Sequence, residues 1–328
     1  TPMKKIFFLV ATTVIFSSAI NAQNVFVLQN GSRNLFYTNM SSVMSNYQSG
    51  DTLYLPPKPI DGNFTFNKKI TIIGAGYHPD TAAVTGITKI TGYVEFNTGS
   101  KGSSITGVRT EGHIYLHDSI LTVTRCNMGY LYVVNGSNPI SQIYVGDCII
   151  RGRVEGGNDV ITNYLIERCI IYGNIAGGNK TNNMMIKNSI LLYNDNYFLD
   201  GISSMIIQNS IIVNTYSYVL NSTSSLVFKN NLFVRAAFSP ASYSMTDNIF
   251  SIPRADIFVD ESKEDFHLKP TLTQALTLAT DGKQVGIFGT DYPFLVPTYA
   301  PRFIAIDNAE NTVDGKLSVK MKVEARDR

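Results

Sequence analysis

Hydrophobic and polar positions follow one repeating pattern between Ser119 and Phe250. In each unit apolar residues lead into two polar positions, a small residue follows, and an aliphatic residue usually comes next. The units read LTVTRCN, IYVGDCI, YLIERCI, MMIKNSI, MIIQNSI, LVFKNNL and YSMTDNI. Their small residues are separated by 22, 21, 20, 21, 21 and 17 residues. A period near 20 residues with strand-like units predicts an all-β solenoid, a right-handed single-stranded parallel β-helix.

Stacking of these units at the strand spacing of about 4.8 Å places equivalent residues above one another. The small residues then form one interior column: Cys126, Cys148, Cys169, Ser189, Ser210, Asn231 and Asn248. Reduced cysteine behaves as a small buried hydrophobe, so we expect three free thiols here, with no disulfide and no metal site. The aliphatic residues that come next are expected to form a second inward column: Ile149, Ile170, Ile190, Ile211, Leu232 and Ile249.

The position before the small residue is predicted to have a left-handed backbone. Three consecutive units carry Asn there, and Asn tolerates positive φ better than most residues. The residues at this position are Arg125, Asp147, Arg168, Asn188, Asn209, Asn230 and Asp247. The first three would stack as a surface ladder of ion pairs worth about 0–1 kcal/mol each. Gly107, 19 residues before Cys126, is expected to align with Cys126.

The chain divides into five segments. Residues 1–22 are typical of a secretory signal peptide, with Lys4 and Lys5 before an apolar run and Thr1-Pro2 as an artefact. Residues 23–66 are predicted to be an N-terminal cap and first strand, with a capping helix indicated by the helical spacing of Met40, Val43, Met44 and Tyr47. Residues 67–250 would form the coils, 251–298 a C-terminal closing segment, and 299–328 a tail that ends in a strand.

Several of these segments resemble a known superfamily. GDTLYLP, NKKITIIGAGYHPD and GSKGSSITGV are similar to the first coils of secreted right-handed parallel β-helix proteins of the pectate lyase-like superfamily, especially uncharacterised members from Bacteroidetes. FHLKPTLTQAL and TDGKQVGIFGTDYP resemble their closing segment, in which the chain leaves the last coil and folds over the end. The resemblance implies a fold and no single activity, because the superfamily includes lyases, hydrolases, tailspikes and adhesins.

Motifs for catalysis are sparse. The polygalacturonase motifs cannot be placed, and the chain has no tandem Asp-Asp, serine-hydrolase elbow, Walker loop or HExxH. Lyases of the superfamily that the chain resembles use carboxylates that hold Ca²⁺ and an Arg or Lys base. We therefore expect no cofactor unless the protein is a lyase, in which case the resemblance implies Ca²⁺.

One cluster of polar and aromatic residues follows the small-residue column in three successive coils. Arginine suits a sugar carboxylate, and tyrosine suits stacking or proton transfer. The expected binding residues are Tyr130, Tyr132, Arg151, Arg153, Tyr172 and Asn174, and the candidate catalytic residues are Arg151, Arg153 and Glu155. The competing interpretation is a solvated outer face of the solenoid with ion pairs between coils.

Net charge gives no reason to expect a nucleic-acid ligand. The formal charge of +2 includes Lys4 and Lys5, so the mature chain is near 2 − 2 = 0, and no basic stripe occurs. No segment of the mature chain is predicted to span a membrane. We expect a secreted, periplasmic or cell-surface protein, non-catalytic, that presents a surface to a polysaccharide or a cell-surface component. Two alternatives stay open: a polysaccharide lyase or glycoside hydrolase acting on acidic polysaccharide, and a structural or assembly component.

Overall fold

The structure is a computed structural model, and it confirms an all-β parallel solenoid. It describes residues 25–78, 86–134, 138–157, 160–181, 183–216, 220–221, 223–238, 243–294, 302–308 and 319–324. The predicted signal peptide, residues 1–22, lies outside the described residues. In the described coils each turn contributes one strand to each of three faces, here called A, B and C, and parallel pairing between successive turns builds each face.

Faces A and C belong to one hydrogen-bonded sheet, and face B is a separate sheet. Face A contains β3 (Asp51–Tyr54), β6 (Ile70–Ile73), β9 (Ser104–Thr106), β12 (Thr122–Thr124), β15 (Ile140–Gly146), β18 (Ile161–Glu167), β21 (Met184–Lys187), β24 (Met205–Gln208), β27 (Leu226–Lys229) and β29 (Tyr243–Thr246). Face B contains β4 (Pro59–Ile60), β7 (Thr88–Ile90), β10 (Val108–Thr110), β13 (Asn127–Met128), β16 (Ile149–Ile150), β19 (Ile170–Ile171), β22 (Ile190–Leu191), β25 (Ile211–Ile212) and β28 (Leu232–Phe233). Face C contains β5 (Phe64–Phe66), β8 (Val94–Phe96), β11 (Ile114–Leu116), β14 (Leu131–Val133), β17 (Val154–Glu155), β20 (Ile175–Thr181), β23 (Leu199–Ile202) and β26 (Leu220–Asn221).

The N-terminal end of the solenoid is covered by a hairpin and the predicted helix. Strands β1 (Phe26–Asn30) and β2 (Arg33–Tyr37) pair antiparallel, and β1 also pairs with β3. Helix α1 (Met40–Asn46) begins at Asn39, whose side chain accepts a hydrogen bond from the Ser42 amide, and it buries Met40 and Val43. Asp51 is fully buried and accepts a hydrogen bond from Arg33 at 2.5 Å, which ties the hairpin to the first coil.

The left-handed positions are confirmed in every repeat. Their φ angles lie between 49° and 55° from Arg125 to Asp247. Gly107 belongs to this position, with φ of 71°, since Thr106 pairs with Thr124; its expected alignment with Cys126 is wrong by one residue. Of the predicted ion ladder, Asp147 and Arg168 pair at 2.8 Å. Within the described chain, Arg125 makes no salt bridge to Asp147.

The small-residue column is also confirmed. The three cysteines are free and completely buried. Ser189, Ser210 and Asn231 continue the column and are equally buried. Burial raises the pKa of the Cys148 thiol well above its ordinary value, which disfavours its reactive thiolate.

The second predicted inward column points outward, and that expectation is wrong. Consecutive residues of a face-B strand face opposite ways, so Ile150, Ile171 and Leu191 join the solenoid interior. Their neighbours Ile149, Ile170, Ile190, Ile211 and Leu232 belong to a separate hydrophobic cluster. The partners of the outer column come from the C-terminal segment, including Ile257, Phe266, Val285 and Ile287.

The C-terminal segment therefore lies along face B. It contains 3₁₀ turns at Arg254–Asp256, Glu261–Lys263 and Thr273–Leu276, and a small antiparallel pair of β30 (Phe258–Asp260) and β31 (Asp265–Leu268). The Gly286 amide donates to the Asn209 carbonyl at 2.8 Å. The resemblance implied a closing segment over the end, whereas these contacts are made with the side of the solenoid. In the tail, the predicted strand is β33 (Val319–Glu324), which pairs antiparallel with β32 (Arg302–Asn308).

Candidate functional site

The predicted cluster is divided by the turn between faces B and C. Tyr132 and Glu155 pair in adjacent strands of face C. Tyr130, Arg153 and Asn174 precede three successive strands of that face, with Arg153 and Asn174 accepting backbone hydrogen bonds from Leu131 and Val154. Arg151 and Tyr172 stand on the other side of the turn, where both contact Glu264 of the C-terminal segment. The structure thus offers two surfaces where the sequence predicted one.

The first surface, which we call the aromatic face, is formed by side chains on face C. Its members are Tyr93, Glu95, His113, Tyr115, Tyr130, Tyr132, Arg153 and Glu155. Strand register places Glu95, Tyr115, Tyr132 and Glu155 in one column of four successive coils. The second column, one step before each strand, contains Tyr93, His113, Tyr130 and Arg153.

Rings of adjacent coils stack on one another. The centroids of Tyr115 and Tyr132 are 5.0 Å apart with planes 8° apart, and those of His113 and Tyr130 are 4.7 Å apart with planes 17° apart. A side chain at Gly152 would collide with the Tyr130 ring, since its Cβ would lie 1.9 Å from Tyr130 Cδ1. Ring faces are therefore largely used in contacts within the protein. Tyr130 is 39% exposed, and Tyr93, Tyr115 and Tyr132 are partly exposed.

Burial sets the protonation of this surface. Desolvation lowers the pKa of His113, which favours the neutral imidazole in its stack with Tyr130. Desolvation also raises the pKa of Tyr115 and of Tyr132. At neutral pH both phenols are therefore protonated and can donate a hydrogen bond.

Charged groups border the stacked rings on both sides. Glu95 accepts a hydrogen bond from Thr65 at 2.6 Å and pairs with His117 at 3.1 Å. At the other side Glu155 pairs with Arg153 at 3.4 Å. Glu95 and Glu155 are three strand spacings apart, about 14 Å, which exceeds the carboxylate separation used in glycoside hydrolysis. This pair alone therefore does not form the acid and base of a hydrolase.

The second surface, which we call the charged cleft, lies where the C-terminal segment meets the early coils. Its volume is about 510 Å³, and its polar lining residues are His78, Arg109, Thr110, Glu111, Asn127, Arg151 and Glu264. The residues of the outer column of face B explain why the cleft lies there. It is polar at Lys89, Arg109 and Asn127, and it becomes aliphatic at the next strand with Ile149. The C-terminal segment packs on the aliphatic part of this column, and the cleft lies at the polar part.

Ion pairs fix the walls of the cleft. Arg151 binds Glu264 through both guanidinium nitrogens, the second at 3.0 Å, and its guanidinium lies 4.8 Å from the centre of the Tyr172 ring. The Tyr172 hydroxyl donates to Glu264 at 2.8 Å. Glu264 raises the pKa of Arg151, so Arg151 stays protonated. On the opposite wall Lys89 pairs with Glu111 at 2.5 Å.

These contacts give Arg151 and Arg153 carboxylate partners in this structure. A protonated arginine can bind an anion or stabilise negative charge, but it cannot accept a proton. The catalytic roles considered for Arg151, Arg153 and Glu155 stay a prediction, since the geometry alone does not test them.

Sequence reasoning missed His78, Arg109, Asn127 and Glu264. The sequence did contain a signal that part of face B is covered. Paired apolar residues such as Ile149-Ile150 and Ile170-Ile171 indicate strands buried on both faces. The break of that pairing at Arg109 and Asn127 marks the open part of face B. Glu264 had no comparable signal, because it is 113 residues from Arg151 in sequence.

Comparison with known proteins gives no relative for this chain: no family model, curated protein or solved structure matches it. In the described residues no helix has the length and apolar character needed to cross a membrane. Nor does the described part of the chain bring together three or more His, Cys, Asp or Glu side chains that could hold a metal ion.

Proposed function

We propose that the protein is a secreted or cell-envelope solenoid whose aromatic face binds a glycan without cleaving it. The observation that supports this is the ladder of tyrosine and histidine side chains with Arg153, Glu95 and Glu155 at its borders. The signal-like residues 1–22 and the resemblance to secreted β-helix proteins support the extracellular setting. The ligand we propose is a polysaccharide or another carbohydrate of a cell surface.

The chemistry of the face suits sugar hydroxyl groups. Phenol hydroxyls with raised pKa values donate hydrogen bonds, carboxylates accept them, and Arg153 donates several. The exposed part of Tyr130 adds apolar contact with the C–H groups of a sugar ring. Parallel register repeats these groups every 4.8 Å or so along the solenoid, and a glycan chain laid along the axis would meet them in series.

Affinity electrophoresis in gels with immobilised polysaccharides tests this proposal. We expect Tyr132→Ala and Arg153→Ala each to weaken retention by about tenfold, which corresponds to about 1.4 kcal/mol. Tyr292→Ala is the matched control, because Tyr292 is 82% exposed and lies in the C-terminal segment. The control variant should be retained like the unaltered protein.

Two results would contradict the proposal. Equal retention of Tyr132→Ala, Arg153→Ala and the unaltered protein on every retained polysaccharide would remove the aromatic face as the binding surface. Release of unsaturated uronate products, detected by their ultraviolet absorbance with and without Ca²⁺, would replace a binding function by a lyase.

A further inference from the structure

The charged cleft contains two side chains, Arg109 and Asn127, for which the described residues provide no hydrogen-bond partner. Arg109 projects from the outer column of face B, and it forms no salt bridge or side-chain hydrogen bond within the described chain. Asn127 is the next residue of the same column. The residue as a whole is buried, with a relative exposure of 6%, and the described residues offer its side chain no hydrogen-bond partner either.

Asn127 lines the cleft, so its amide can meet a molecule that enters. The same column changes to isoleucine one coil later, at Ile149. A ligand that receives hydrogen bonds from Asn127 and Arg109 would use donors that no described residue occupies.

We infer that the charged cleft is a binding site for one carboxylate group of a small organic acid, received by Arg109 and Asn127. A planar guanidinium matches a carboxylate with two parallel hydrogen bonds, and the Asn127 amide nitrogen adds a third donor. Register places the two residues on adjacent strands, about 4.8 Å apart. The volume of about 510 Å³ leaves room for the remainder of the acid.

The other charges of the cleft select for a single negative charge. Glu264 is bound by Arg151 and Tyr172, and Glu111 is bound by Lys89. Arg109, whose charge also acts on Glu111, is the arginine of the lining that forms no salt bridge with a described residue. Two carboxylates beside the ligand would repel a dianion such as phosphate or sulfate. This site is independent of glycan binding on the aromatic face.

The test is a nuclear magnetic resonance titration of the full chain with acetate, benzoate and gluconate, each paired with its uncharged amide. The side-chain amide signals of Asn127 are assigned by their absence in Asn127→Ile, a variant that only extends the aliphatic column. We expect at least one acid to shift these signals in a saturable way and its amide to leave them in place. Arg109→Gln should weaken the binding of that acid at least tenfold.

Matched variants separate this site from the aromatic face. Arg153→Gln and Tyr132→Ala should leave acid binding unchanged, and circular dichroism should give all variants the same fold. The inference is overturned if none of the three acids shifts the Asn127 signals, if Arg109→Gln binds as tightly as the unaltered protein, or if phosphate or sulfate binds more tightly than the acids.

Discussion

At the scale of single residues, the small-residue column does more than fill space. The Ser189 hydroxyl accepts a hydrogen bond from the Cys169 amide at 3.1 Å, and the Ser210 hydroxyl accepts one from the Ser189 amide at 3.1 Å. Asn231 continues the series by accepting from the Ser210 amide at 2.9 Å. These side chains satisfy buried backbone amides at the bend between faces A and B, where the left-handed residue interrupts the strand.

This arrangement predicts that Ser210→Ala destabilises the column more than Cys126→Ala does. Ser210→Ala leaves the buried Ser189 amide without an acceptor, so we expect the opening free energy of that amide in hydrogen exchange to fall by about 1–3 kcal/mol. Cys126→Ala should cost less, because in the described chain no backbone amide donates to the Cys126 sulfur. Equal protection of the Ser189 amide in Ser210→Ala and the unaltered protein would contradict the role of the hydroxyl.

At the scale of elements, each face-B strand from β16 to β28 contributes to two hydrophobic clusters. Leu191 packs in the solenoid interior, and its neighbour Ile190 packs against the C-terminal segment. Both residues are almost completely buried, but they are buried by different parts of the chain. A single substitution can therefore disturb the solenoid or the C-terminal segment without disturbing the other.

We expect Ile190→Asp to release the C-terminal segment while the coils stay folded. A carboxylate in the outer cluster has no partner there, and removing the segment exposes it to water. Limited proteolysis should then cut within residues 251–294, and circular dichroism should retain the β signal. Leu191→Asp is the matched change on the inner side and should unfold the coils. Loss of the β signal to the same extent in both variants would refute the separation.

At the scale of the whole molecule, one cluster of polar and charged residues links the C-terminal segment to the central coils. Glu264 belongs to the C-terminal segment, and its partners Arg151 and Tyr172 belong to the central coils. The hydrogen bond from Arg151 lowers the pKa of Glu264 below 4.5, and the charge of His78 acts in the same direction. The folded state therefore favours the ionised carboxylate.

The lowered pKa predicts the direction of a pH effect. The extra stability is fully present above pH of about 4.5, the ordinary value for Glu, and it is lost as pH falls through the lower folded pKa. Because Glu264 and Arg151 are partly exposed, we expect about 1 kcal/mol or less. Thermal unfolding midpoints of Glu264→Gln and the unaltered protein should differ at pH 7 and converge in acid. A difference that stays constant down to pH 2 would exclude this linkage.

Much of the solenoid could be predicted from the repeat in the sequence. In a stacked fold, residues one period apart become neighbours, so the sequence alone predicted the cysteine column, the left-handed Asn positions and the parallel register. Helix α1 was predictable for a related reason, because Met40, Val43 and Tyr47 share one helical face. These features depend on contacts that a regular period encodes directly.

The side of the strand that faces the core was decided by tertiary structure. Ile149 and Ile150 are both apolar and point in opposite directions, and local sequence contains nothing that distinguishes inside from outside. The answer comes from the C-terminal segment, whose contacts with the solenoid join residues far apart in the sequence, 113 positions in the case of Arg151 and Glu264. Those contacts do not recur at a fixed spacing along the sequence, so the repeat does not predict them. They cover the aliphatic part of face B and leave beside it the charged cleft, which Arg109 and Asn127 line.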